Sequence, residues 1–188
     1  MKSRLCVLSL GVMLMGMAPV SADDEAVILN PGTLSGSVSL VGYTIKSVTV
    51  YAIDTVQLYS ANVTANVPAG ASSIDYTLTV EGDRDYYVMA EVAVSTTDTT
   101  YVYLPVTGPV NVPIAADVPW DMSMEPAIIS GTISTGSSDN TIESFDIDGY
   151  VSVPEFGSSV ASSTYSYLNV AGDTGRTYTL LLAPGGEY

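Results

Sequence analysis

Carboxylates are the chemically strongest groups in this chain, so their spacing comes first. Asp146-Ile147-Asp148-Gly149 has the Asp-x-Asp-Gly spacing of a Ca²⁺ loop, with Asp139 and Glu143 before it and Glu155 after it. Calcium takes about six to eight oxygens, and the full loop signature is not met. Asp146 and Asp148 are therefore the candidate metal ligands, against the plainer alternative of two solvated acids on one face of a strand. A second cluster, Glu81-Gly82-Asp83-Arg84-Asp85, reads first as a hairpin turn, with Gly82 supplying positive φ and Asp83 a local hydrogen bond. Arg84 is expected to pair with a neighbouring acid. Paired acids also hydrolyse glycosides, but that needs a cleft and one acid with a raised pKa, and no acid here sits in an apolar, loop-borne context.

Tyrosine is the second functional resource, at 13 Tyr against 2 Phe and 1 Trp. In two predicted strands Val88, Ala90, Val92 and Val94, then Val102, Leu104 and Val106, alternate with Tyr87, Tyr101 and Tyr103. If the aliphatic set faces the core, those three tyrosines face out and form a candidate ligand-binding row for sugar rings or a partner protein. The plainer alternative is cross-strand pairing on an ordinary solvated sheet. Trp120, near the join between the two halves, is expected to seal the contact between them.

Composition removes most other chemistry. The chain has 188 residues, 20 Asp+Glu, 5 Lys+Arg, one Cys and no His, for a net charge of −15. Residues 1–22 carry Lys2, Arg4, an apolar run from Leu5 to Val20 and the small residues Ser21 and Ala22, the pattern of a secretory signal peptide cut after Ala22. Cleavage removes Cys6 and leaves Lys46, Arg84 and Arg176 as the bases. Disulfides, thiol nucleophiles, imidazole bases and Zn sites with N or S ligands are then excluded. Nucleic-acid binding is excluded by the missing basic footprint, and no other segment has the length and apolarity of a membrane span. With 47% hydrophobic and 13% charged residues the chain is predicted to fold.

The elements that must position these groups are strands. Val, Ile, Thr and Tyr alternate in short runs separated by Gly, Pro, Asn and Asp, which predicts an all-β chain. Seven strands are expected in the first half: 34–40, 45–53, 60–66, 74–80, 86–94, 100–106 and 110–122. The Ser-rich stretch 157–164 is expected to be a loop.

The second half repeats the first. Leu34-Ser-Gly-Ser-Val-Ser39 recurs as Ile129-Ser-Gly-Thr-Ile-Ser134, and Ile45-Lys-Ser-Val-Thr-Val50 as Ile142-Glu-Ser-Phe-Asp-Ile147. Two further matches follow in the same order, Leu78–Asp83 with Leu168–Asp173 and Arg84-Asp-Tyr86 with Arg176-Thr-Tyr178. The expected organisation is a signal peptide (1–22), an acidic linker (23–30), a first β-sandwich domain (31–126) and a second (127–188) whose C-terminal strands are missing. The open edge of the second domain implies either a longer parent protein or strand-mediated association with another chain.

The openings of both copies, the Tyr165-Ser-Tyr-Leu-Asn-Val170 run and the closing Tyr178-Thr-Leu-Leu-Leu-Ala-Pro-Gly-Gly-Glu-Tyr188 resemble carboxypeptidase regulatory-like domains. These are small prealbumin-like or Ig-like sandwiches. The resemblance runs from about residue 31 to the end, and the first copy departs from it at Met89-Ala-Glu-Val92, where a Pro-Gly turn is usual. It implies a structural or binding accessory module of exported proteins with no catalytic centre to carry over.

The sequence thus predicts two tandem Ig-like or prealbumin-like sandwiches acting as an exported, non-enzymatic structural or adhesive module of a secreted or cell-surface protein. The alternative is a polysaccharide-binding accessory module using Tyr87, Tyr101 and Tyr103. An extracellular protein or polysaccharide is the expected partner, and no cofactor is expected unless Asp146 and Asp148 hold Ca²⁺.

Overall fold

A computed structural model of the chain describes residues 28–56, 60–95, 99–134, 144–153, 157–167, 175–185 and 188. The predicted signal peptide and the linker as far as Val27 lie outside these. The described residues are all-β, and none of their helices is long and apolar enough to cross a membrane, because they form none.

Alternation dictates the first layer. In β4 (Ser73–Glu81) every second residue is apolar and buried, and in β1 (Pro31–Leu40) the same alternation is interrupted only at half-buried Gly36; the two pair antiparallel with Leu34 opposite Leu78 and Gly36 opposite Tyr76. The other edge of β1 takes two short parallel strands, β8 (Asp117–Pro119) and β9 (Met122–Met124). Facing this sheet is a second one containing β2 (Ile45–Asp54), β3 (Ser60–Ala65), β5 (Arg84–Ser95), β6 (Thr99–Tyr103) and β7 (Thr107–Val112). Leu34, Val38, Leu78 and Val80 from one layer and Val48, Val50, Val88, Val92 and Val102 from the other share one buried core. Two facing sheets over a common core are consistent with a β-sandwich.

The second half contributes β10 (Ala127–Ser134), β11 (Ser144–Val153), β12 (Gly157–Tyr167) and β13 (Gly175–Leu182). β10 and β13 form a two-stranded sheet, whereas β11 and β12 extend the large sheet, whose order is β11-β12-β6-β5-β2-β3. The junction is the antiparallel β12–β6 pair, with Ser163 opposite Tyr101. Seven strands, drawn from both halves of the chain, thus belong to one sheet.

Several sequence expectations change here. The Ser-rich stretch 157–164 is strand β12, not a loop. Serine is a weak strand former, but the Ser162 hydroxyl donates to the Tyr101 carbonyl at 3.1 Å and accepts from the Leu181 amide at 3.2 Å, so its polarity is used in pairing. The expected strand 110–122 is broken into the end of β7, then β8 and β9. Pro113 and Pro119 withhold ladder donors, and Ala115 takes φ 57° between them.

The repeat also aligns differently. Leu34–Leu78 and Gly36–Tyr76 in β1–β4 correspond to Ile129–Leu180 and Gly131–Tyr178 in β10–β13, so β13 is the counterpart of β4. The turn after it agrees: Gly185 takes φ 79° where Asp83 takes φ 57°. Tyr178 therefore matches Tyr76 rather than Tyr86, and Tyr188 matches Tyr86 near the start of β5. The counterpart of Pro184-Gly185 is Gly82-Asp83, not the Met89 region.

Candidate functional site

β5 and β6 pair with Glu91 opposite Tyr103 and Ala93 opposite Tyr101. β2 places Tyr51 opposite Met89 and Ile53 opposite Tyr87. Residues directly opposite each other project from the same side of a sheet. Since Val88, Ala90, Val92, Val94 and Val102 fill the core, Tyr87, Tyr101 and Tyr103 lie on the outer face, as the alternation predicts. All three are half-buried there by their neighbours.

The same rule extends the face across the junction. Asp148 is opposite Ser163, and Ser163 is opposite Tyr101, so Asp148 belongs to the side that carries the tyrosines. Asp146, two residues earlier on β11, shares it. The two candidate groups of the sequence, three tyrosines and two aspartates, are thus brought to one sheet face. Tyr51, Glu91 and Tyr150 join them without having been singled out from sequence. Tyr51 was visible as an outward alternate of Val50 and Ala52, but Glu91 and Tyr150 become partners only through strand pairing.

The phenols here are coupled to carboxylates. Burial first, then the charge of Glu91 and a hydrogen bond to it, raise the pKa of Tyr103, with smaller contributions from Tyr51 and Asp148. Tyr51 is raised by burial and then by Glu91. Tyr150 donates its hydroxyl to Asp148 Oδ2 at 3.3 Å, and the Asp148 charge is the main cause of its raised pKa. The raised pKa values favour the protonated phenol, a hydrogen-bond donor on an apolar ring. Asp139, Glu143 and Glu155, the other acids of the proposed Ca²⁺ cluster, lie outside the described residues. Among the described residues no group of three or more Asp or Glu side chains is placed to hold a metal ion.

The second acid cluster surrounds a depression of 440 Å³ lined by Asp54, Thr55, Val56 and Glu81 to Asp85. Its acids hold loops. Arg84 pairs with the buried carboxylate of Asp54, whose other oxygen accepts the Val56 amide at 2.7 Å. Glu81 accepts the Leu29 amide at 3.1 Å, and Asp85 accepts the Asn111 side-chain amide at 2.9 Å. The turn assignment therefore stands with its roles exchanged. Asp83 takes the positive φ, while Gly82 is required for space, because a Cβ there would lie 2.7 Å from Ile114 Cα and 2.9 Å from the Asn30 carbonyl oxygen. Asp83 reaches across to the Ile114 amide at 3.4 Å instead of bonding locally. The second Gly-Asp pair, at 172 and 173, lies outside the described residues.

The hydrogen bonds of Trp120 stay within the first half: its amide donates to the Ser35 carbonyl, its indole N–H to the Thr107 hydroxyl, and its own carbonyl accepts the Tyr76 hydroxyl at 2.6 Å, so it ties the β8–β9 segment to β1, β4 and the start of β7.

Comparison with models of known families, with characterised proteins and with solved structures finds no match to this chain.

Proposed function

We propose that the chain is an exported, non-enzymatic structural and adhesive module of a secreted or cell-surface protein, built as a pair of related sandwich units. One observation supports this reading above the others: half-buried tyrosines and carboxylates from both halves of the chain line one side of a continuous sheet. Such a face offers apolar area with polar tips, the surface chemistry of protein association, and its protonated phenols and scattered acids provide no reacting centre. The resemblance to carboxypeptidase regulatory-like modules points the same way. The test is retention of the purified protein on extracellular matrix or cell-wall material from the source organism. Tyr101→Ser/Tyr103→Ser should lose most of that retention while circular dichroism reports an unchanged fold at the assay temperature; unchanged retention contradicts the proposal.

A polysaccharide-binding reading draws support from the shared orientation of Tyr87, Tyr101 and Tyr103. Sugar stacking needs open ring faces, and these rings are half-buried, which favours the adhesive reading. Polysaccharide pull-down that depends on the same two tyrosines would reverse that order.

A further inference from the structure

On the outer face of the large sheet Glu91 of β5 is opposite Thr49 on one side and Tyr103 on the other, and Asp148 of β11 is opposite Ser163. Beyond residue 27 the sequence holds three bases, Lys46, Arg84 and Arg176, and all three are described. Arg84 pairs with Asp54, Arg176 is on β13 of the two-stranded sheet, and Lys46 sits at the irregularity where β2 passes Val94 and Ala93. None of them stands opposite Glu91 or Asp148. Each of these carboxylates meets a phenol instead: Tyr103 hydrogen-bonds Glu91, and Tyr150 donates to Asp148 Oδ2 at 3.3 Å.

A carboxylate has about four lone-pair positions, so one phenol bond leaves each acid able to accept more. The charges that shift the neighbouring phenols, Glu91 on Tyr51 and Tyr103 and Asp148 on Tyr103 and Tyr150, are negative and raise them, which marks the face as one that attracts a cation. Tyr103 lies between the two acids, on β6, and Tyr150 beside Asp148 is 45% exposed, so its ring is open to a ligand. A ring next to a carboxylate holds a guanidinium in two ways at once, by stacking on its plane and by accepting from its N–H edge. An ammonium is a compact, strongly hydrated charge and lacks the planar fork. From β5 to β11 is three strand spacings, roughly 14 Å at the backbone. Two arginines four residues apart in an extended segment span about the same distance.

We propose that the outer face around Glu91, Tyr103, Asp148 and Tyr150 is a docking site for arginine side chains on an extended segment of a partner protein. One arginine sits between Glu91 and the Tyr103 ring, and a second between Asp148 and the Tyr150 ring. Glu91 and Tyr103 come from the first half of the chain and Asp148 and Tyr150 from the second, so the site exists because the sheet is continuous. This names the partner chemistry of the adhesive reading and rests on it for the existence of a protein partner. The two fail separately: a surface partner without arginine leaves retention intact and abolishes the peptide binding described below, whereas a protein with no surface partner still binds the peptide.

The probe is a fluorescein-labelled, end-capped heptapeptide, Gly-Arg-Gly-Ser-Gly-Arg-Gly, with versions carrying lysine or uncharged citrulline in place of arginine. Fluorescence anisotropy with the purified protein at physiological salt should show the arginine peptide binding more tightly than the lysine peptide, and the citrulline peptide not binding. Glu91→Gln/Asp148→Asn should weaken arginine-peptide binding about tenfold, because bonds to charged acceptors are lost. Asp75→Asn/Glu125→Gln removes the same charge from exposed positions elsewhere and should weaken it by less than about twofold. Asp148→Asn alone should show part of the loss, with circular dichroism reporting that each variant remains folded. Equal weakening by the two double variants would mean that overall negative charge draws the peptide, and overturns the proposal. So does an arginine peptide that the folded protein does not bind, a lysine peptide bound as tightly, or an affinity unchanged by Asp148→Asn.

Discussion

Tyr188 donates its hydroxyl to the carbonyl oxygen of Ala183 at 2.7 Å, and Tyr86 makes the same bond to Glu81, five residues back, at 2.8 Å. The shared bond marks equivalent positions in the two repeats. It spans the turn that leaves β4 in the first and β13 in the second, and in the first it fixes where β5 starts.

Tyr86 is fully buried, so its hydroxyl has no water to fall back on. Tyr86→Phe should leave the Glu81 carbonyl without this partner and lower stability by about 1 kcal/mol. Tyr188 is half-exposed, so Tyr188→Phe should have a smaller effect. Denaturant midpoints of the two variants check the order.

Gly82 and Asp83 divide the work of one turn. Gly82→Ala should destabilise by about 1–3 kcal/mol, because the new methyl meets backbone atoms of residues 30 and 114. Asp83→Gly should be tolerated better than Asp83→Val, since the backbone there is left-handed. The reverse order at residue 83 would return the conformational role to Gly82.

Arg84 and Asp54 should behave as one unit in a double-mutant cycle. Arg84→Ala leaves a carboxylate that is 3% exposed without its cation, so it should lower the unfolding midpoint more than Arg84→Ala does in an Asp54→Ala background. Equal effects in the two backgrounds would show the pair to be inert.

Alkaline pH should weaken the first half through Tyr76. Burial first, then the charge of Asp121, push its pKa from 10.0 up to about 12. Folding favours the neutral phenol, so this contribution is complete below pH 10.0 and is lost as pH rises towards about 12. Tyr76→Phe should flatten the decline in stability over that range, as measured by chemical denaturation at a series of pH values.

Much of the architecture is legible in the sequence because alternation and burial are the same signal in these strands. Val88 to Val94 and Leu34 to Leu40 announce both their conformation and their inward face. The β12–β6 pairing is not legible in that way. β12 has serine at five of its eleven positions, without an apolar alternation to declare a strand, and it is held by register against Tyr101 and by the double hydrogen bonding of Ser162. The short Gly-Asp motif misled the repeat alignment because two-residue turn signals recur by chance. The paired Gly36–Tyr76 and Gly131–Tyr178 contacts correct it through space. The acids show the same division: their outward placement was readable, whereas the ties of Asp117 to Ser35 and of Asp121 to Ser37, each at 2.7 Å, depend on the chain returning to β1.

The continuous sheet is what makes the tyrosines of one half and the aspartates of the other a single face, and a disulfide tests it most directly. In a Cys6→Ser background, Tyr101→Cys and Ser163→Cys replace residues that stand directly opposite each other in the β6–β12 pair. That places the two Cα atoms within the range a disulfide spans. Mild oxidation should close an intramolecular bond in nearly all molecules without changing the circular dichroism spectrum, while the out-of-register pair Tyr103→Cys with Ser163→Cys should close far more slowly. A folded protein that fails to close the in-register pair, or closes it only between molecules, contradicts the shared sheet and the common face built on it.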